Sequence, residues 1–93
     1  MNRDEAKTIL SRELVAYRKR PYDELLYLLE SQDTKEVIGV SGKTYQLEFQ
    51  AVLDDPKNKD LRVMGAIDDC GLRAFFPLTE DFIITTEGKF VGE

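Results

Sequence analysis

The side chains that most often carry out catalysis are scarce in this sequence. It contains no histidine, the residue most often used for proton transfer near neutral pH. Cys70 is the only cysteine, and its acidic neighbours Asp68 and Asp69 disfavour a reactive thiolate. The six glycines are scattered singly and form no phosphate-binding loop. We therefore predict a non-enzymatic protein without a cofactor, with catalysis by carboxylates alone as the minor alternative.

Acidic residues are the second group with chemical potential. They cluster in residues 54–60 (DDPKNKD) and in the pair Asp68 and Asp69, where oxygen atoms could bind a divalent metal or a small molecule. Lys57 and Lys59 interrupt the first cluster, and neither cluster has the spacing of an EF-hand. Aspartate is also a common turn residue. We assign no metal ligands, and keep metal or small-molecule binding through these loops as the alternative function.

A hydrophobic alternation that starts at Tyr45 positions the remaining candidates. Apolar residues or glycine occupy every second position of residues 45–53, 61–67 and 72–76. This period is typical of strands with one buried face. The opposite face then carries a mixed set of side chains, namely Gln46, Glu48, Gln50, Arg62, Met64, Arg73 and Phe75.

Five of these residues form the predicted binding site: Glu48, Arg62, Met64, Arg73 and Phe75. Arginine, methionine and aromatic side chains are enriched in protein interfaces, and a solvated face gains little from exposing Met64 or Phe75. Arg62 and Arg73 fall on adjacent predicted strands, with Glu48 one strand away. The competing interpretation is an ordinary solvated sheet face, held by cross-strand pairs.

The elements that must position this face are two helical segments and a run of strands. Residues 4–19 predict a helix capped by Asn2, with Glu5 completing a capping box, and an apolar stripe of Ala6, Ile9, Leu10, Leu14 and Tyr17. The basic residues 18–20 close this helix and complement its dipole. Pro21 begins either a second short helix over residues 21–30 or a kinked continuation of the first.

Strands are predicted over residues 36–40, 43–53, 61–67 and 72–76, with weaker strand signals at 82–85 and 90–91 around a turn at 87–88. The connections are a two-residue link at Ser41 and Gly42, an exposed loop over 54–60 and a turn over 68–71. Pro77 ends the strand over 72–76. The fold class is α+β, with one or two N-terminal helices packed on one face of an antiparallel meander of four to five strands.

Length and charge limit the choice of partner. The 93 residues form one predicted domain (1–93), and the net charge is −5. Positive charges dominate residues 1–20, and negative charges dominate the rest, which argues against nucleic acid and favours a basic partner. We predict no membrane segment and a cytoplasmic location. The predicted function is a protein-interaction module that binds itself or a protein partner through the exposed sheet face or an edge strand.

The C-terminal third also resembles a known group of sequences. Residues 68–84 (DDCGLRAFFPLTEDFII) and 89–93 (KFVGE) are similar to the C-terminal half of a group of small bacterial α+β proteins with no established activity. The resemblance implies a bacterial, single-domain α+β protein. It implies no catalytic or binding residues.

Overall fold

The first helix follows from its apolar stripe and its cap. The structure, a computed structural model, describes residues 2–69 and 77–93. In it α1 (Arg3–Arg18) buries the whole predicted stripe, and the Asn2 side chain accepts a hydrogen bond from the Glu5 amide at 3.1 Å. The reciprocal half of the predicted capping box is wrong. The Glu5 carboxylate instead accepts three hydrogen bonds, two from Ser41 and one from Tyr45.

A separate second helix follows α1, which decides between the two predicted alternatives. Pro21 has extended backbone angles (φ −67°, ψ 159°) and turns the chain between the helices. α2 (Tyr22–Leu25) is one short turn, and it tightens into a 3-10 helix over Leu26–Leu29. Leu25 and Leu28 are buried, so this segment covers one end of the sheet.

The sheet is an antiparallel meander with the strand order β1-β2-β3-β4. Its strands are β1 (Asp33–Ile38), β2 (Thr44–Asp55), β3 (Asp60–Asp68) and β4 (Leu78–Ile84). β1 begins three residues before its predicted start and ends two residues before its predicted end. The predicted two-residue link is also wrong. Gly39 pairs with Lys43 across a three-residue turn that ends at Gly42, whose φ of +87° favours glycine.

The predicted acidic loop is shorter than expected because both flanking strands extend into it. β2 reaches Asp55 and β3 starts at Asp60, which leaves only residues 56–59 as a turn. The Asp55 side chain accepts hydrogen bonds from the amides of Lys57 and Asn58, as an Asx turn does. The hydroxyl of Tyr22 donates to the carbonyl of Lys59 at 2.6 Å and attaches the turn to α2.

The last strand starts earlier than the predicted segment 82–85. β4 pairs with β3 from Ile67↔Leu78 to Leu61↔Ile84, so it begins directly after Pro77. The first half of β4 does not show the apolar alternation, because Glu80 occupies a position that faces the helices. There it accepts a hydrogen bond from Ser11 at 2.9 Å. Phe90 forms one bridge with Ile84 beyond the turn, as the predicted short return requires. The predicted strand over 72–76 and Cys70 lie outside the described residues.

The core forms between α1, the short helices and one face of the sheet. Its sheet members are the alternating residues of β2, β3 and β4. They include Tyr45, Leu47, Phe49, Leu61, Val63 and Ile67, all at most 1% exposed. The alternation is thereby confirmed for residues 45–51 and 61–67. Leu53 is 39% exposed, at the end of β2 where the register shifts between Leu53 and Asp55.

Candidate binding surface

The face of the sheet that points away from the helices is the candidate surface, and we call it the outer face. It consists of the even-numbered residues of β1, β2 and β3 and of Thr79, Asp81 and Ile83 in β4. None of these side chains belongs to the hydrophobic core. In the described part of the chain, the helices contact the sheet only from the opposite side.

Three of the five predicted site residues lie on the outer face. Glu48 is exposed, and Arg62 and Met64 are half-buried. Arg73 and Phe75 lie outside the described residues. Glu48 lies on β2, one strand away from Arg62 on β3, as predicted. In the register Glu48 faces Ala66, whereas Arg62 faces Val52, so the two side chains are not direct cross-strand neighbours.

Arg62 is held in place by two aspartates that sequence reasoning did not connect with it. Its Nε and Nη2 atoms donate to Asp54 Oδ1 at 2.9 and 2.6 Å, and its Nη1 donates to Asp81 Oδ2 at 2.7 Å. These hydrogen bonds, first those to Asp54, raise the pKa of Arg62 above its ordinary value. The guanidinium is thus fixed in orientation and its charge is compensated.

Apolar side chains surround the stem of Arg62. Val52 and Ile83 lie directly opposite it on β2 and β4, and Met64 follows two residues later on the same face. Val52 is 45% exposed, and Ile83 and Met64 are half-buried. Val52 has the phase of the outer face, so the alternation could have assigned it there. Ile83 falls between the apolar Phe82 and Ile84, where no alternation sets the phase.

Two shallow depressions flank Glu48. One of about 340 Å³ lies between β1 and β2 and is bounded by Thr34, Glu36 and Gln46. The other, of about 210 Å³, extends towards β4 and includes Met64 and Asp81. Glu48 borders both, and its carboxylate accepts a hydrogen bond from Gln32 at 2.9 Å. A long side chain of a partner can enter either depression and reach this carboxylate.

The outer face is acidic over the described residues. Its carboxylates outnumber the single guanidinium of Arg62, and they belong to Glu36, Glu48, Asp54, Asp60, Asp68 and Asp81. Lys35 points to the helix side, where it forms an ion pair with Glu13 at 2.7 Å. The surface therefore presents a few apolar side chains within a negative field, and it attracts a positively charged surface.

The acidic loops have structural roles in the part of the chain described. Asp54 binds Arg62, and Asp55 organises its own turn. Among residues 2–69 and 77–93, no group of three or more histidine, cysteine, aspartate or glutamate side chains is arranged to hold a metal ion. The predicted alternative function in metal binding thus gains no supporting observation.

Comparison with protein-family models, with curated proteins and with solved structures gives no match. Within the described ranges, no helix has the length and apolar character needed to cross a bilayer.

Proposed function

We propose that this protein is a non-enzymatic interaction domain whose outer face binds another protein. The observation that carries the proposal is the apolar group of Val52, Met64 and Ile83 around the immobilised guanidinium of Arg62. Interfaces are enriched in arginine and methionine, and a side chain that is already ordered loses less entropy on binding. The bound partner would cover these apolar side chains.

The partner carries basic residues beside an apolar patch. The excess of carboxylates on the described outer face attracts lysine and arginine side chains, and the depressions beside Glu48 accommodate them. A second copy of this chain would bring the same carboxylates face to face, and like charges oppose such an interface. A heterologous protein partner is therefore favoured over self-association through this face.

The experiment compares a charge reversal on the outer face with a matched reversal elsewhere. Tagged wild-type protein is used to capture binding proteins from cells of its source, and each captured protein is purified and titrated separately. The Glu48→Lys variant should raise the dissociation constant about tenfold, since attraction to a basic residue becomes repulsion. The control is Glu87→Lys, which makes the same charge change in the exposed turn after β4 and should bind like the wild type.

A second variant separates the apolar contribution from the charge. Met64→Ser should weaken the same complex at every salt concentration, whereas the effect of Glu48→Lys should shrink as salt screens the charges. The proposal is refuted if the captured proteins bind Glu48→Lys and Met64→Ser as tightly as the wild type. It is also refuted if ultracentrifugation shows a stable dimer that Met64→Ser dissociates, because the face would then bind a second copy.

A further inference from the structure

A groove runs between α1 and β1, on the opposite side of β1 from the outer face. Its volume is about 500 Å³, within the range of roughly 300–1,000 Å³ usual for ligand sites. One helical stripe of α1 forms its upper wall, and Val37 and Gly39 form its floor. The residues of that stripe are Glu5, Thr8, Ile9 and Arg12.

The width of this groove is set by a contact between α1 and the β1–β2 turn. Glu5 accepts hydrogen bonds from the Ser41 hydroxyl at 2.6 Å and from the Tyr45 hydroxyl at 2.7 Å. A Cβ atom at Gly39 would lie 2.5 Å from Glu5 Oε1, so a larger residue there would displace this carboxylate from its hydrogen bonds. These contacts fix the position of α1 relative to the β1–β2 turn, so the groove is present in the folded protein before any ligand binds.

The floor of the groove borders an open sheet edge. β1 pairs with β2 on one side and is the first strand in the order, so its other side carries no strand of the described chain. The Gly39 amide donates to the Lys43 carbonyl and therefore faces β2, and in an antiparallel ladder the backbone groups of successive residues face alternate sides. Thr34, Glu36 and Ile38 consequently direct their amides and carbonyls outwards, where they can pair with an added strand.

Apolar exposure is concentrated beside this edge. Ile38 is 69% exposed and Val40 fully exposed, the two highest values among the large apolar side chains described. Exposed apolar residues on an edge strand favour aggregation unless another strand pairs with the edge or charged side chains protect it.

The charges of β1 act against pairing with a second copy. In an antiparallel pair of two β1 strands, opposed residues share a face, so the most extensive symmetric registers place Glu36 opposite Glu36 or Lys35 opposite Lys35. Like charges directly opposite each other are destabilising. An occupant of different sequence avoids this conflict.

Arg12 is the positively charged side chain in the groove that can pair with an acidic group of a ligand. Of the other charged groups beside the groove, Glu5 binds Ser41 and Tyr45, and Glu13 binds Lys35. Asp4 also lines the groove, but it lies about two helical turns before Arg12 on α1. Arg12 is exposed and makes no hydrogen bond or ion pair with any residue in the ranges 2–69 and 77–93.

We propose that β1 and this groove bind an extended peptide as an added edge strand. Alternate apolar side chains of the peptide enter the groove towards Ile9 and Val37, an acidic side chain pairs with Arg12, and a basic side chain lies opposite Glu36. This inference goes beyond the proposed function, because it uses the edge of the sheet rather than the outer face.

The probe is a synthetic heptapeptide, acetyl-Val-Val-Ile-Lys-Glu-Thr-Lys-amide, designed to lie antiparallel to β1. In the intended register its isoleucine faces Val37, its lysine lies opposite Glu36 and its glutamate points towards Arg12. Titration into the isotopically labelled protein should shift the amide resonances of β1 and of the groove-lining stripe of α1. The dissociation constant from this titration is the reference for all variants.

Two singly N-methylated peptides test the added strand directly. Methylation of the fourth residue removes an amide donor that faces β1 and should weaken binding at least about fivefold, because the donor's partner stays unpaired. Methylation of the third residue alters an amide that faces away, and it should leave binding unchanged. Equal binding of the two methylated peptides overturns the proposal.

Protein variants test the edge and the charge. Glu36→Pro removes an outward-facing amide together with the carboxylate that faces the peptide lysine, and proline is compatible with an edge strand. It should therefore bind the peptide more weakly than Glu36→Gln, which removes only the charge, while the melting curve confirms folding. Arg12→Glu should weaken binding about tenfold, and a peptide with lysine in place of glutamate should restore it. Lys7→Glu, an exposed control on another side of α1, should bind like the wild type.

Three results overturn the proposal outright. One is the absence of saturable shifts at about 1 mM peptide, the weakest affinity that would still count as binding. Another is a set of shifts confined to the outer face. The last is a dimer in ultracentrifugation that Glu36→Pro dissociates, since the edge would then be occupied by a second copy.

Discussion

Gly65 is the position where a single methyl group should disturb the placement of α1 on the sheet. A Cβ atom added there would lie 2.9 Å from Leu10 Cδ1 and 2.9 Å from Phe49 Cε1, closer than real Cβ contacts. Overpacking of this kind costs about 1–3 kcal/mol. Replacing glycine by alanine also restricts the unfolded chain, which offsets about 0.4–1 kcal/mol. We expect Gly65→Ala to reduce the free energy of unfolding by about 1–2 kcal/mol, a decrease of roughly 5–15 °C in Tm for a domain of this size.

The assay is urea and thermal unfolding of Gly65→Ala, Leu10→Ala and the double variant, followed by circular dichroism. Leu10→Ala alone should cost about 2–5 kcal/mol because it leaves a cavity. The added methyl group at Gly65 then conflicts only with Phe49, so the double variant should be about 1 kcal/mol more stable than the sum of the single effects predicts. A neutral Gly65→Ala, or strictly additive effects, would refute the packing of Leu10 directly over Gly65.

Three further outcomes follow from the hydrogen bonds at the start of α1. Hydrogen bonds from Ser41 and then Tyr45 hold the pKa of Glu5 below its ordinary value, so their stabilisation is present above that value and is lost as pH falls through the lowered pKa. The Tm difference between the wild type and Glu5→Gln should accordingly shrink between about pH 6 and pH 3. Burial raises the pKa of Tyr45 to about 12. The tyrosinate absorbance that is present in the wild type and absent from Tyr45→Phe should therefore develop near that pH. The stabilisation by the neutral Tyr45 hydroxyl should be lost only above the ordinary tyrosine pKa of about 10. Asn2→Ala should cost about 1 kcal/mol by removing the helix cap, whereas Asn2→Asp should retain it in the same melting assay.

The parts of the fold that depend on local pattern were predictable. The stripe of α1 and the alternation from Tyr45 each bury one face, and the burial of every second residue in β3 confirms the second pattern. Because the period of a strand is two, the phase of the buried residues assigns Glu48, Arg62 and Met64 to the outer face without any knowledge of the partner strands. That this face binds a partner is a prediction, which the variants Glu48→Lys and Met64→Ser test.

The parts that depend on distant contacts were not predictable. Asp54 and Asp81 meet Arg62 only because β2, β3 and β4 adopt one particular register. Glu80 interrupts the apolar pattern of β4, because its hydrogen bond to Ser11 is made with a helix 69 positions earlier in the chain. Strand ends are uncertain for the same reason, since a strand continues as far as its neighbour offers pairing groups.

The outer face and the open edge meet in β1, which makes their two roles separable by experiment. The side chain of Glu36 belongs to the outer face, whereas its amide and carbonyl belong to the edge. Glu36→Gln and Glu36→Pro both remove the charge, but only proline also removes the amide. A basic protein on the outer face should therefore be weakened to the same extent by the two variants. The peptide should be weakened further by Glu36→Pro than by Glu36→Gln, since backbone pairing supplies most of its affinity. If the basic protein also binds Glu36→Pro more weakly than Glu36→Gln, the outer face and the edge form one continuous site, and one partner would add a strand to β1 while covering Glu48.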